Sequence, residues 1–213
     1  IERLEYLLLI SPTAERYALL GSAFKRKAII TVGAQRKAAL KAAAFYYYLS
    51  AKKSNAPSSY AVTNWFELEA IIRANENQSW TTKETVSVSS TLFVPDSDIT
   101  LRKSYPLVSI DQALKTLAEM QSPAHQSPGD MDYWQLAGEA NIALCGLILG
   151  AKADKAALSA VYDLYKRLWG KTGSVSRRNI AREHLQALYQ TYSHKNKVKD
   201  SLKTLEKRLE ELG

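Results

Sequence analysis

The residue types with the greatest capacity for chemistry in this sequence are one cysteine, Cys145, and three histidines, His125, His184 and His194. A zinc site needs several converging ligands, and none of these residues stands at metal-ligand spacing from another. A nucleophilic cysteine needs an exposed thiol beside a base. Cys145 instead lies within the apolar run 142–148, which is typical of a small buried residue. The sequence therefore predicts neither a metal site nor a catalytic thiol.

Two further candidate sites lack the pattern that their chemistry requires. The Gly-Lys-Thr triplet at 170–172 has no earlier glycine at phosphate-loop spacing, and no strand is predicted before it. Acidic residues in the middle of the chain show no pairing that would mark acid and base catalysis, and solvated helix faces account for them: Glu67, Glu69, Asp111, Asp130, Asp132 and Glu139. We therefore predict that the protein is not an enzyme and binds no cofactor.

Basic residues interleaved with aromatic residues are the strongest chemical feature. Lysines flank the run 45–48, which reads Phe-Tyr-Tyr-Tyr, and a later basic cluster contains Arg177, Arg178 and Arg182. Cations neutralise phosphates and exposed rings stack on bases, so the alternative function is a basic helical nucleic-acid-binding module that uses these three arginines. Packing of the rings between helices is the competing interpretation. Four consecutive aromatics cannot share one helix stripe, so one or two are expected to be exposed or held by a neighbouring repeat.

The composition favours a helical globular chain. The sequence is 46% hydrophobic and 23% charged, with only nine Gly and six Pro and a net charge of +8. These values exclude disordered, collagen-like and disulfide-scaffold classes. No apolar run approaches the roughly 20 residues of a membrane span, and nothing resembles a signal peptide. We expect a cytoplasmic protein, and the start at Ile1 without a methionine suggests a piece of a longer polypeptide.

Hydrophobic periodicity and capping residues predict about eight helices. Their expected ranges are 13–31, 34–53, 60–73, 109–120, 132–149, 153–169, 174–193 and 196–212. The segment 75–108 departs from this pattern, because Thr85–Val94 is β-branched and 95–98 has the composition of a turn. We predict an all-α protein of antiparallel helix pairs, with an irregular or small β-hairpin insertion at 75–108. The remaining domains are 1–74 and 109–213.

The first helix pair carries small and large residues in a characteristic order. Tyr17, Leu20, Gly21 and Phe24 occupy relative positions 0, 3, 4 and 7 of the first helix. The second helix has its own set, followed by a proline: Ala44, Tyr48, Ala51 and Pro57. This order resembles the tetratricopeptide repeat, in which small residues let two helices approach and aromatics fill the gap. The resemblance implies a solenoid of stacked helix pairs.

A second copy of the signature begins at Trp134. Ala137 and Gly138 take the Leu and Gly places, and Asn141 replaces the expected aromatic; the partner helix supplies Ala157, Val161 and Leu164. The last helix has apolar residues at spacings of four and three, which fits a capping helix at 196–212 or a short coiled-coil seam: Val198, Leu202, Leu205, Leu209 and Leu212.

The sequence is also similar to the tetratricopeptide-like C-terminal segments of large bacterial proteins, including those with a caspase-like CHAT-type protease domain. The residues that carry this similarity are Ser11–Tyr17, Leu19–Ala23, Gly173, Ser174, Arg182, Glu183 and Leu185. The resemblance implies a regulatory or partner-binding segment whose partner is a protein, a peptide or another domain of the same polypeptide. Any protease residues of such a protein would lie outside this chain.

The predicted function is therefore protein recognition in a cytoplasmic, membrane-free setting. Stacked helix pairs form a concave surface that receives segments of other proteins. Polar and aromatic residues at inward-facing helix positions are the predicted partner-binding contacts: Tyr17, Phe24, Lys41, Tyr47, Asn64 and Arg73.

Overall fold

The computed structural model divides the chain into two units, unit 1 (Ile1–Ser109) and unit 2 (Ile110–Gly213). The residues that the structure describes are 1–55, 58–77, 85–94, 97–106, 108–121, 133–150, 155–171, 174–192 and 196–212. Each unit is described by itself below.

Unit 1 contains helices and a hairpin. Its helices are α1 (Glu2–Ile10), α2 (Ala14–Ile30), α3 (Gly33–Lys53) and α4 (Ser59–Glu76). The Thr13 and Ser58 side chains cap α2 and α4 by accepting hydrogen bonds from the backbone N–H of Arg16 and Ala61. Helix α3 begins at Gly33, whose φ of 56° lies in the left-handed region that favours glycine.

Helices α2 and α3 are antiparallel, as their short connection requires. At one end of the pair, the Arg36 Nε donates to the carbonyl oxygen of Ala28 at 3.1 Å. At the other end, the Ser50 hydroxyl donates to the carbonyl oxygen of Ala14 at 2.8 Å. Helix α3 also packs against α4 and against the first strand of the hairpin, so neighbours surround it on several sides.

The hairpin consists of β1 (Thr85–Val94) and β2 (Ser97–Pro106), with antiparallel pairing that runs from Thr85 opposite Pro106 to Val94 opposite Ser97. This confirms a small hairpin within the predicted insertion. The predicted turn was too long, because residues 97 and 98 belong to β2; residues 95 and 96 lie outside the described part of the chain. Val88 and Tyr105 are buried, and β1 packs against α1 and α3.

Unit 2 is helical in the residues that the structure describes. Its helices are α5 (Ile110–Gln121), α6 (Tyr133–Gly150), α7 (Lys155–Lys171), α8 (Val175–Thr191) and α9 (Lys197–Glu210). The α5–α6, α6–α7, α8–α9 and α7–α9 pairs are in contact. Four residues of the α9 stripe are buried within the unit, so they do not form an exposed coiled-coil seam: Val198, Leu202, Leu205 and Leu209.

The predicted all-α fold with a minor hairpin is confirmed. Each of the eight expected helices corresponds to one of α2–α9, with ends that differ by a few residues. The sequence did not predict helix α1, because burial in this helix does not follow hydrophobicity. Its buried residue is Glu5, whereas Leu9 and Ile10 are exposed. No helix among the described residues has the length and apolarity needed to cross a membrane.

Candidate functional site

The aromatic run of α3 forms the centre of unit 1. Phe45, Tyr46 and Tyr47 are buried and Tyr48 is half-buried. Of the two expected outcomes, exposure or cover by neighbouring elements, the structure shows the second. The rings point in different directions around the helix, and a different neighbour covers each direction. The ring contacts are Tyr46 with Phe24 and Tyr17, Tyr48 with Trp65, and both Phe45 and Tyr48 with Tyr105 of the hairpin.

Gly21 sets the distance between α2 and α3. A Cβ atom at this position would stand 2.8 Å from the ring of Tyr47, closer than a real Cβ contact. The Tyr47 hydroxyl lies 3.1 Å from that of Tyr60 on α4, which ties the ring to a third helix. The glycine and the aromatic residue therefore act as a complementary pair. The sequence pattern included Gly21 but assigned the aromatic place on α3 to Tyr48, one residue after the ring that fills the gap.

Helix α4 carries polar residues into the core. Asn64, Glu67 and Arg73 are each at most 2% exposed, although charged groups are rarely buried to this extent. Lys25 of α2 is also buried, and its Nζ donates to the Asn64 Oδ1 at 2.6 Å. Burial lowers the pKa of Lys25 to about 8, and the negative charge of Glu67 opposes that shift.

A second polar contact joins α4 to the hairpin. The Tyr105 hydroxyl donates to the Glu69 carboxylate, and both side chains are buried. Burial raises the pKa of Glu69 to about 7, while the Tyr105 hydrogen bond and the charges of Arg73 and Lys41 oppose the shift. The pKa of Tyr105 is raised well above its ordinary value by burial and by the Glu69 charge. These two groups attach the hairpin to the helical core.

Partly buried ion pairs lie at the end of α4. The Glu76 carboxylate accepts from the Lys37 and Lys41 Nζ atoms at 2.8 and 3.1 Å. Partial desolvation raises the pKa of Glu76, but the two ammonium groups outweigh it and hold the pKa below its usual value. Basic groups of α3 therefore lie beside acidic groups of α4. Lys37 and Lys41 pair with Glu76, and the charge of Lys41 also acts on the buried Glu69.

The structure separates the predicted partner-binding residues into two groups. Tyr47, Asn64 and Arg73 are at most 2% exposed, and Phe24 is buried against Tyr46. Their side chains form the interior of unit 1, so they offer no surface to a partner. The helix positions that the sequence marked as inward-facing are inward, but they face neighbouring helices and not an open groove.

Tyr17 and Lys41 remain partly exposed. Tyr17 stacks on Tyr46 with ring centroids 6.4 Å apart, and Lys41 forms its ion pair with Glu76. Of the predicted contacts, these two retain side-chain surface that a partner could reach.

The three arginines of the predicted nucleic-acid patch make different contacts. The Arg182 Nη2 lies 2.7 Å from Glu210 and 3.6 Å from Glu206, so two carboxylates compensate its charge. The Arg178 Nη2 donates to the carbonyl oxygen of Trp169 at 3.4 Å. Arg177 lies over two aromatic rings of α6.

Several predicted residues have plain structural roles or lie outside the described residues. Cys145 is buried in α6, as predicted. Among the residues that the structure describes, no group of three or more potential ligands could hold a metal ion. His184 is on α8, and Gly170 and Lys171 end α7. The predicted positions that fall outside the described part of the chain are His125, Asp130, Asp132, Thr172 and His194.

Sequence reasoning missed the buried cluster of unit 1. Glu67 and Glu69 were assigned to solvated faces, and this assignment is wrong, because both are at most 1% exposed. A signal was present: α4 reads as a largely apolar helix on all sides, so its few charged residues had no polar face to occupy. Lys25 gave no such signal, since its burial depends on α4 packing against it.

Comparison with known proteins agrees with the helical architecture of unit 1. Residues 1–69 match the family model described as Tetratricopeptide Repeats-Sensor, TPR-S. The match spans α1, α2, α3 and part of α4, and it includes both Gly21 and Tyr47. No curated protein and no solved structure matches the chain. The N-terminal part of the chain is therefore a tetratricopeptide-repeat-like region.

Proposed function

We propose that this chain is a partner-binding and regulatory module of a larger bacterial polypeptide. Tetratricopeptide-like helix pairs act as interaction scaffolds, because their stacked helices present an extended surface. The observation that carries the proposal is the α2–α3 pair, whose Gly21–Tyr47 contact lies within the residues that match the TPR-S family. The word sensor in that family description supports a regulatory role.

The specific form of the proposal is that the polypeptide also carries a CHAT-type protease domain. The sequence similarity of Ser11–Tyr17 and Leu19–Ala23 to segments of such proteins supports it. In this form, the partner of the module is another protein or the protease domain itself, and the module controls access to the protease. The mass of the native polypeptide tests this form: a mass well above 23.8 kDa is expected, and a mass equal to that of this chain would contradict it.

Site-specific photocrosslinking in the source organism tests partner binding. A photoreactive phenylalanine analogue at Tyr17 or at Lys41 should give a covalent adduct with one defined protein or domain, because these predicted contacts keep exposed surface. Lys207 on α9 is a matched control, since it is exposed on a helix outside the TPR-S match.

The proposal requires the adducts to depend on position. Adducts from Tyr17 and Lys41 that share one partner, together with none from Lys207, would support it. Equal labelling from all three positions would indicate non-specific collision, and the absence of any adduct at Tyr17 and Lys41 would contradict a binding role for this surface.

A further inference from the structure

A cation–aromatic cluster marks one end of unit 2. The guanidinium of Arg177, at the start of α8, lies 4.4 Å from the ring centroid of Tyr133 and 5.6 Å from that of Trp134, at the start of α6. The two rings are in edge contact, with centroids 5.0 Å apart. These residues lie outside the range that matches the TPR-S family.

Trp134 remains 70% exposed even with Arg177 beside it. Ile180, one helical turn after Arg177 on α8, is 61% exposed, and residues three apart are neighbours on a helix surface. Exposed tryptophan and arginine are the residue types that dominate binding energy at protein interfaces. This end of unit 2 therefore combines apolar contact area with a positioned cation.

The chain segment that contains Arg177 is basic, and the acidic residues Asp163 and Glu183 border it. The segment 164–182 contains six basic residues and no acidic residue, and Lys166, Arg167, Lys171 and Arg177 are exposed. Among the residues that the structure describes, no carboxylate lies within ion-pair distance of Arg177. The ring contacts hold the planar guanidinium in place, while its N–H edge remains suited to a bidentate carboxylate contact.

We propose that the Trp134–Arg177–Ile180 surface binds an acidic peptide segment of a partner protein that carries apolar side chains between its carboxylates. The carboxylates pair with Arg177 and the surrounding lysines and arginines, and the apolar side chains pack on Trp134 and Ile180. A protein segment fits better than a nucleic acid. Ile180 offers no contact to phosphate, and Arg182, which would extend the patch, is compensated by Glu206 and Glu210. This site lies in unit 2, so it deepens the partner-binding function proposed for the chain without relying on Tyr17 or Lys41.

Fluorescence anisotropy with the full chain tests the proposal. The probe is a short fluorescein-labelled peptide in which Glu alternates with Leu and Phe. Trp134→Ala and Arg177→Glu should each weaken binding by about tenfold or more, because both remove interface anchors. Both residues are on the surface, and circular dichroism checks that the variants are folded.

Arg208→Glu is the matched control. Arg208 also lies over an aromatic ring of unit 2, at 3.8 Å from the centroid of Tyr162, and the substitution changes the net charge by the same amount as Arg177→Glu. The affinity of this variant for the peptide should stay close to that of the wild type.

Two further probes separate the alternatives. A peptide of Glu and Gly only should bind more weakly than the apolar-acidic peptide, and equal affinity would overturn the role of Trp134 and Ile180. Unstructured oligouridine that bound more tightly than the peptide, and that lost affinity in the Trp134→Ala variant, would show a nucleic-acid site instead. Failure of the apolar-acidic peptide to bind, or equal binding to all variants, would also overturn the proposal.

Discussion

Single residues give unit 1 its unusual chemistry, because ionisable side chains occupy its core. Burial of a charge costs several kcal/mol unless partners compensate it. Here the compensation comes from paired groups on different elements: Lys25 of α2 with Asn64 of α4, and Tyr105 of β2 with Glu69 of α4. Such contacts have strict geometry, so they restrict which packing arrangements the elements can adopt.

A side chain at Gly21 of α2 should destabilise the protein. In Gly21→Ala the new methyl group meets the Tyr47 ring, and overpacking of this kind costs about 1–3 kcal/mol, partly offset by about 1 kcal/mol of helix propensity. Urea denaturation should show a net loss of stability. In Gly146→Ala the Cβ meets no atom within 4 Å, so stability should be unchanged or higher. Equal stabilities of the two variants would contradict the close-contact role of Gly21.

Glu69 should make stability depend on pH. Its pKa is raised from 4.5 when unfolded to about 7 when folded, so the native state binds more protons between these values. Stability is therefore full below pH 4.5 and falls as the pH rises through 7, by up to about 3 kcal/mol. Glu69→Gln keeps an acceptor for Tyr105 and has no charge to bury. The free energy of unfolding of this variant should therefore not decrease over the same pH range.

Denaturation of both proteins from pH 4.5 to pH 8 measures the difference. Glu119→Gln, at an exposed position on α5, is the control and should follow the wild type. A Glu69→Gln profile that is parallel to the wild-type profile would show that the carboxyl group does not titrate in this way.

At the scale of elements, Tyr105 is one of the attachments of the hairpin to the helices, beside the packing of β1 on α1 and α3. Isolated two-stranded hairpins are marginally stable in water. The buried ring of Tyr105 contacts Phe45 and Tyr48 of α3, and its hydroxyl bonds Glu69 of α4. One side chain of β2 thus connects the hairpin to two helices.

Removal of the Tyr105 ring should release the hairpin. Tyr105→Ala removes buried aromatic area worth about 3–5 kcal/mol, whereas Tyr105→Phe keeps the ring and removes only the hydroxyl. Hydrogen exchange measured by mass spectrometry should show faster exchange in 85–94 and 97–106 for Tyr105→Ala, with a smaller change for Tyr105→Phe. Unaltered protection of both strands in Tyr105→Ala would mean that other contacts hold the hairpin.

At the scale of the whole molecule, the net charge of +8 predicts weak attraction to any polyanion. Such binding depends on counterion release and falls steeply with salt. We expect single-stranded RNA to bind measurably at about 50 mM salt and not at about 200 mM salt. The triple variant Arg177→Ala, Arg178→Ala and Arg182→Ala provides the comparison. Binding that persisted at the higher salt and was lost in this variant would favour the nucleic-acid alternative.

The sequence by itself determined the helices α2–α9 and the hairpin, but not α1, because the signals of these elements are local. Thr13 caps α2 as its pattern predicted, and the helices that Ser58, Ser174 and Asn196 cap begin within one residue of their predicted starts. The β-branched run 85–94 predicted a strand, since periodicity and branching act within a few residues. The small residue Gly21 was also visible in the repeat pattern, although the pattern named Tyr48 and not Tyr47 as the aromatic of α3.

Only the tertiary structure decided which polar and aromatic groups are buried. Glu67, Glu69 and Lys25 have ordinary helical positions in the sequence, and the aromatic run 45–48 cannot fit one helix stripe. Burial depends on how many neighbours a helix has, and α3 meets α2, α4 and the hairpin at once. Contacts between residues as distant as Glu69 and Tyr105 arise from this packing. A local pattern cannot specify them, because it carries no information about which elements will cover a given side chain.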